Sequence, residues 1–579
     1  MTWCALLIPS FNVGFLIYIA GAVLAALLVA LLLAWYRPLL EDRLLQPVEK
    51  AGKRFAIKKG QVILGIAVAT IVARLSFLWL IPVPIPVSHD EFAYLLAADT
   101  FAHGRLANPP HPMWLFLDTI HVNQHPTYMS KYPPAQGAVL AFGQILGHPW
   151  IGVLLSIAVM CATMAWMLQG WFPPVWALIG AVLVFLRFAV FDYWVNSYWG
   201  GAAAAIGGAL VLGSLPRIFR HQRPRDSALL GLGASLLANS RPVEGLIFCL
   251  PVAAALGGWL LSRSTAWRVN LRKVVLPVST VLLLNLAFMG YYNWRGTGNP
   301  LLFPYVANER AHFIRPVFVW QEARLPIHFV NPQFDEYYSQ EQPAEFNHYR
   351  DQFVRSALRR IKDFCEFYFG ALIVAPLLTL PWLLRDRRMR LPIVQLGLSL
   401  IGILVVVPYS QHYAAPLTAT VLALTVQGLR HLRLWQHHGR PVGIGLSRML
   451  VLFAIATIPA HTVKTLLEIR HGVYWINPHM PERARIAAEL KSLPGEHLVL
   501  VHYAANHSVH EEWVYNAADI DHAKVVWARE IPGENLTPLL DYFRDRKVWV
   551  VDADKLPARP KQIRAPGNPS EDGIAGTSP

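Results

Sequence analysis

The polar stretch SHDEFAYLLAADTFAHGRLANPP (residues 88–110), followed by YMSKYPPAQG (residues 128–137), lies between two segments apolar enough to span a bilayer. Acid, base, histidine and tyrosine crowded at one membrane face point to chemistry rather than anchoring alone. Outward from this stretch, apolar segments recur at 150–168, 174–190, 200–216, 227–240, 244–262, 274–291, 365–383, 391–408, 411–428 and 447–464, with 11–35 and 62–82 before it. The reading is a polytopic α-helical membrane protein of about 12 transmembrane helices. At 579 residues, 54% hydrophobic and only 15% charged, the chain is too apolar for a soluble globule.

A net charge of +15 raises the question of nucleic acid, but five connections between apolar segments are basic: 37–59, 217–225, 263–273, 385–390 and 430–448. Threading the spans in order puts all five on one side, the cytoplasm by the positive-inside rule, and no nucleic-acid partner is implied. The opposite face then receives the outer loops 83–149 and 292–363 and everything after 465. Four domains follow: an extra first span and basic loop (1–60), a membrane catalytic domain (61–465), a small extracytoplasmic α/β domain (466–555) and a disordered tail (556–579). The α/β reading rests on strand-like runs at 498–503, 524–530 and 548–554 around a helix-like 536–546. The four cysteines have neither metal-ligand nor disulfide-framework spacing.

Ser88-His-Asp-Glu91 has the form of a capping box, with Ser88 at the N-cap and Glu91 reaching back to it. That gives Glu91 a structural task and leaves Asp90, beside Tyr94 on one face, as the better candidate for proton acceptance; the alternative is a carboxylate that only complements the helix dipole. Lys131, ahead of Tyr132-Pro133-Pro134, sits at headgroup depth, suited to a lipid phosphate or to snorkelling. Arg241 stands in an outward turn against the charge trend, either to bind phosphate or to pair with Glu244. Asp192, in the aromatic turn FDYWVNSYWGG, is a second candidate carboxylate. Asp118, His121 and His125 could meet as metal ligands were that stretch helical.

In order, Asp90-Glu91, Tyr94, His103-Gly104-Arg105, Lys131, Pro133-Pro134 and the late outer turn Gln411-His-Tyr-Ala-Ala-Pro416 resemble the GT-C glycosyltransferases that use polyprenyl-phosphate sugars. The branch most similar holds protein O-mannosyltransferases and the lipid A aminoarabinose transferase. The resemblance spans residues 60–465; the chain departs from it in its additional first span and its Pro- and His-rich first outer loop. It implies a GT-C-like fold in a membrane, by analogy the bacterial inner membrane, with the catalytic loops outside. It also implies inverting transfer of a sugar from a polyprenyl-phosphate carrier to an acceptor hydroxyl on a lipid, polysaccharide or protein. Asp90, Glu91 and Asp192 are then catalytic candidates. Lys131, Arg241 and Arg105 would contact the donor phosphate, and Tyr94, Tyr132, His412 and Tyr413 would line the pocket. A divalent cation is compatible with this scheme, though no ligand set is singled out. The alternatives are a secondary transporter, disfavoured by polar residues gathered in outer loops rather than at mid-membrane, and a non-catalytic envelope-assembly protein.

Overall fold

The computed structural model describes residues 42–263, 266–325, 327–470 and 479–565, so the expected first span at 11–35 lies outside the described residues. The amphipathic helix α1 (Asp42–Ala56) leads into α2 (Lys59–Ser76). The outer helix α3 (His89–Ala102), the hairpin of β1 (Val122–Asn123) and β2 (Met129–Ser130), and α4 (Pro134–Ile145) come next. Then follow α5 (Pro149–Trp171), α6 (Pro174–Phe188), α7 (Ala202–His221), α8 (Pro224–Ala238), α9 (Pro242–Ser262) and α10 (Leu276–Thr297). Prolines 134, 149, 174, 224 and 242 each stand in the first turn of a helix, where a missing N–H costs nothing and the fixed φ starts the turn. After the outer helix α11 (Pro304–His312) the chain continues through α12 (Arg390–Val405), α13 (Thr418–Arg433) and α14 (Val442–Arg470).

Six helical stretches among the described residues are long and apolar enough to cross a membrane: α2, α5, α7, α9, Trp267–Thr297 and Val442–Leu467, with α6 and α12 as shorter apolar helices. This is an integral membrane protein, and its described residues hold fewer such helices than the sequence suggested for them. α8 and α13 fill two expected positions with only 15 and 16 residues. The expected span 365–383 is no single helix. It breaks at Gly370, whose φ of 51° is left-handed, and restarts in short turns carrying Pro376 and Pro381.

The helices divide by what surrounds them. In α7 83% of the most apolar window is buried, against 6% in Trp267–Thr297, so α7 is the central strut and α10 faces lipid. α7 achieves this with small residues that let backbones approach. A Cβ on Gly208 would stand 2.3 Å from the Pro416 carbonyl oxygen, in the turn that carries His412 and Tyr413. Gly208→Val should therefore cost about 1–3 kcal/mol. Thermal unfolding in detergent checks this, and a midpoint equal to the parent's would deny the close packing.

Beyond the membrane helices, α15 (His479–Ser492) packs on a four-stranded sheet of order β4–β3–β5–β6, built from β3 (His497–His502), β4 (Val525–Arg529), β5 (Lys547–Asp552) and β6 (Lys561–Arg564). β3 is parallel to both β4 and β5, and β6 is antiparallel to β5. β6 corrects the reading of everything after 555 as disordered. It is an exposed edge strand, KQIR, with no apolar alternation to announce it. The core of this unit holds Val499, Val501, Trp513 and Trp527, and it also takes in Phe92 from α3. The sheet unit is thus packed directly on the helix that opens the first outer loop.

Candidate active site

The first turn of α3 forms as its sequence dictates. Ser88 is extended, with φ −114° and ψ 156°, and its hydroxyl accepts the Glu91 amide while Glu91 accepts the Ser88 amide, completing the capping box. Glu91 is used further: Oε2 also accepts the Val87 N–H at 2.8 Å, and Oε1 accepts the Tyr198 N–H at 2.9 Å. It is a buried clasp between two outer loops. Burial raises its carboxyl above the ordinary range, against three backbone donors that pull it down.

Asp90, one position earlier, is left open. Its side chain is 32% exposed, accepts a hydrogen bond from the Tyr132 hydroxyl and lies 3.8 Å from His121 Nε2. The hairpin explains how residues so far along the chain arrive here. Val122 pairs with Ser130 and Asn123 with Met129, and the Lys131 N–H donates to the His121 carbonyl at 3.1 Å. His121 and Lys131 therefore stand side by side across the ladder, with Tyr132 next to them. Tyr132 stacks on Tyr94 with centroids 4.5 Å apart. Burial holds the His121 imidazole well below its usual pKa, so it is neutral.

Lys131 is buried. Its Nζ lies 3.8 Å from Glu309 Oε1 and 5.4, 5.0 and 4.7 Å from the ring centres of Tyr132, Tyr305 and Phe313. Burial lowers its pKa to about 8, with Glu309 and Asp90 working the other way. It borders a small pocket, with about 10 Å³ of free volume, shared with Pro133, Asn239, Tyr292 and Tyr305. Arg241, at the start of α9, lies over the Tyr413 ring at 3.9 Å. The alternative ion pair with Glu244 is not formed: among the described residues Arg241 has no carboxylate partner within 4.0 Å. Tyr413 feels both Arg241 and Asp90, which places the guanidinium on the same tyrosine cluster as the open carboxylate. His412 accepts from or donates to the Tyr193 hydroxyl at 3.1 Å and packs on Trp199, whose indole N–H donates to Ser88 Oγ.

Arg105 and Asp192 do not join this cluster, and the expected metal-ligand set is not assembled. Arg105 follows the far end of α3, a helix of 14 residues, and so lies about 20 Å from Asp90 at ~1.5 Å per residue. Asp192 is buried against Arg187 Nη1 at 2.9 Å and accepts the Trp194 N–H at 2.9 Å, so its oxygens serve the turn. Asp118, His121 and His125 do not converge: Asp118 accepts the Thr119 N–H, and His125 is exposed against Trp114. No group of three or more His, Cys, Asp or Glu among the described residues is arranged to hold a metal ion. The sequence reading missed residues of the loop 292–363: Tyr305, Glu309 and Phe313 around Lys131, Arg315 over the Phe313 ring at 4.5 Å, and Tyr337, whose hydroxyl lies 3.4 Å from His121 Nε2. Tyr305 and Glu309 were accessible as an i, i+4 pair on a proline-started helix.

No family model and no curated protein matches this chain. Among solved structures it is similar to ArnT from Cupriavidus metallidurans in the apo state, at 12% identity and TM-score 0.48, covering 85% of this chain and 92% of that one. The same protein bound to undecaprenyl phosphate gives 13% identity and TM-score 0.46, covering 86% and 93%. The Archaeoglobus fulgidus oligosaccharyltransferase tethered to an acceptor peptide gives 10% identity and TM-score 0.42, covering 81% of this chain; this chain spans 63% of that protein's length. Likenesses this distant assign no residue a role, and the chemistry is argued from the site itself.

Proposed function

We propose that this chain is an integral membrane glycosyltransferase that moves one sugar, with inversion, from a polyprenyl-phosphate carrier to an acceptor hydroxyl on the extracytoplasmic face. One observation carries the reading. Of the two adjacent acids, only Asp90 keeps an accessible carboxylate, and it does so on the stacked Tyr94 and Tyr132 pair, beside Lys131 and with Arg241 over the nearby Tyr413 ring.

Asp90 takes the proton of the acceptor hydroxyl as the acceptor oxygen attacks the anomeric carbon. The bond from that carbon to the phosphate oxygen breaks, and the electron pair leaves with polyprenyl phosphate. Such a phosphate departs without protonation, so the pair of carboxylates needed by glycosidases is not required. Lys131 and Arg241 stabilise the charge that develops there. Tyr132 holds the Asp90 carboxylate in place, and the half-buried rings of Tyr413 and Trp199 offer faces for a sugar. The outward orientation rests on the five basic connections on the opposite side.

The test supplies purified protein in lipid with polyprenyl-phosphate-linked mannose, glucose and aminoarabinose, and measures release of polyprenyl phosphate in the presence of an envelope extract as acceptor source. Release with one donor, dependent on the extract, is expected. Absence of release with all three, from protein that binds polyprenyl phosphate no better than a control membrane protein, would overturn the reading.

A further inference from the structure

We propose that Tyr515, in the C-terminal sheet unit, is a positioning residue for Asp90 and acts through His89. The inference rests on the reading of Asp90 as the base and extends the site to a part of the chain 426 residues away from α3 in sequence.

His89 is the first residue of α3, directly before Asp90. Its ring Nε2 lies 2.8 Å from the Val509 carbonyl oxygen, an atom that only accepts, so Nε2 carries the proton. Nδ1 is then the acceptor, and the Tyr515 hydroxyl donates to it. The same tyrosine lies flat on Phe92, three residues further along α3, with centroids 4.0 Å apart and planes 5° apart. Tyr515 thus grips positions 89 and 92 of the helix at once. Arg483 of α15 fixes the gripping segment, since Nε donates to the Trp513 carbonyl at 2.6 Å and Nη2 to the Tyr515 carbonyl at 2.9 Å, while its guanidinium lies 4.8 Å from the Phe92 ring centre.

The first turn of α3 is therefore held from two sides. Glu91 ties it to the loop carrying Tyr198, and His89 ties it to the sheet unit. Asp90 sits between these anchors, and among the described residues only the Tyr132 hydroxyl donates a hydrogen bond to it. The rings of His121 and Tyr337 close on His89 at 6.0 and 5.9 Å, so the imidazole is the hinge pin of this turn rather than a free base. Loss of the hydroxyl from Tyr515 leaves the stack on Phe92 intact but releases the imidazole, and a shift of about 1 Å in a general base costs up to about a hundredfold in rate.

Tyr515→Phe in the full chain tests this with the donor that the parent protein turns over. Expected are a kcat about tenfold lower, a donor KM within about twofold of the parent's and an unchanged thermal midpoint. A purely structural role would instead lower the midpoint and the folded fraction at constant kcat per folded molecule. His89→Gln keeps a donor for Val509 and loses the Nδ1 acceptor, so in that background Tyr515→Phe should add no further loss. Parental kcat in Tyr515→Phe alongside an inactive Asp90→Asn would overturn the positioning role and leave the base intact, as would effects of the two changes that multiply. Parental activity in Asp90→Asn would remove the base and the positioning role together.

Discussion

Asp90→Asn is expected to lower sugar transfer by roughly two to four orders of magnitude while the protein folds and binds donor as before. The substitution keeps size and still offers an oxygen to the Tyr132 hydroxyl, so the stacked pair of Tyr94 and Tyr132 has no reason to rearrange. What disappears is the lone pair that receives the acceptor proton. Glu91→Gln makes the contrast. Sequence alone suggests that glutamine serves the capping box equally well, but the structure shows both Glu91 oxygens accepting backbone N–H groups, two on one side and Tyr198 on the other. A glutamine NH₂ must face at least one of these donors, so Glu91→Gln should cost about 1–3 kcal/mol of stability. Its kcat per folded molecule should stay within about tenfold of the parent's. Turnover measured against the folded fraction separates the two acids. An active Asp90→Asn beside an inactive, folded Glu91→Gln would exchange their roles.

The parts of this site that sequence made legible are those fixed by short-range rules. The capping box needs only residues 88 and 91, and its backbone bonds are where the pattern puts them. The set of apolar helices is legible because bilayer thickness imposes a length, although Gly370 and two prolines break a stretch whose hydropathy reads as continuous. Motif order placed Lys131 and Tyr132 with Asp90, and the hairpin that joins them is physical grounds for it. The same order misplaced Arg105, because a motif at both ends of one helix carries no reminder that the helix is some 20 Å long. Asp192 misled because its partner, Arg187, lies at the end of an apolar helix and was read as part of it. Glu309, on the outer helix α11, and Tyr515, in the sheet unit, reach the site from far along the chain, and nothing local in either stretch records which distant residue it meets.

Lys131→Ala should weaken use of the lipid-linked donor by about a hundredfold, the scale of removing one preorganised charge from a departing anion. The structure adds a pH dependence to this. Burial among Tyr132, Tyr305 and Phe313 brings the Lys131 ammonium down to about 8, so at pH 7 it is protonated by about ten to one. As pH rises through 8 the proton leaves, the cation is lost, and transfer should fall along an alkaline limb centred there. Lys131→Arg keeps its charge throughout that range, so any activity it retains should lack the limb. Glu309 raises the Lys131 pKa, and Glu309→Gln should therefore move the limb to lower pH in a protein that still turns over below it. A limb that stays at the same pH in Lys131→Arg and Glu309→Gln alike would belong to another group. In that case Lys131 is a lysine enclosed by aromatic rings for packing, and Arg241 alone faces the phosphate.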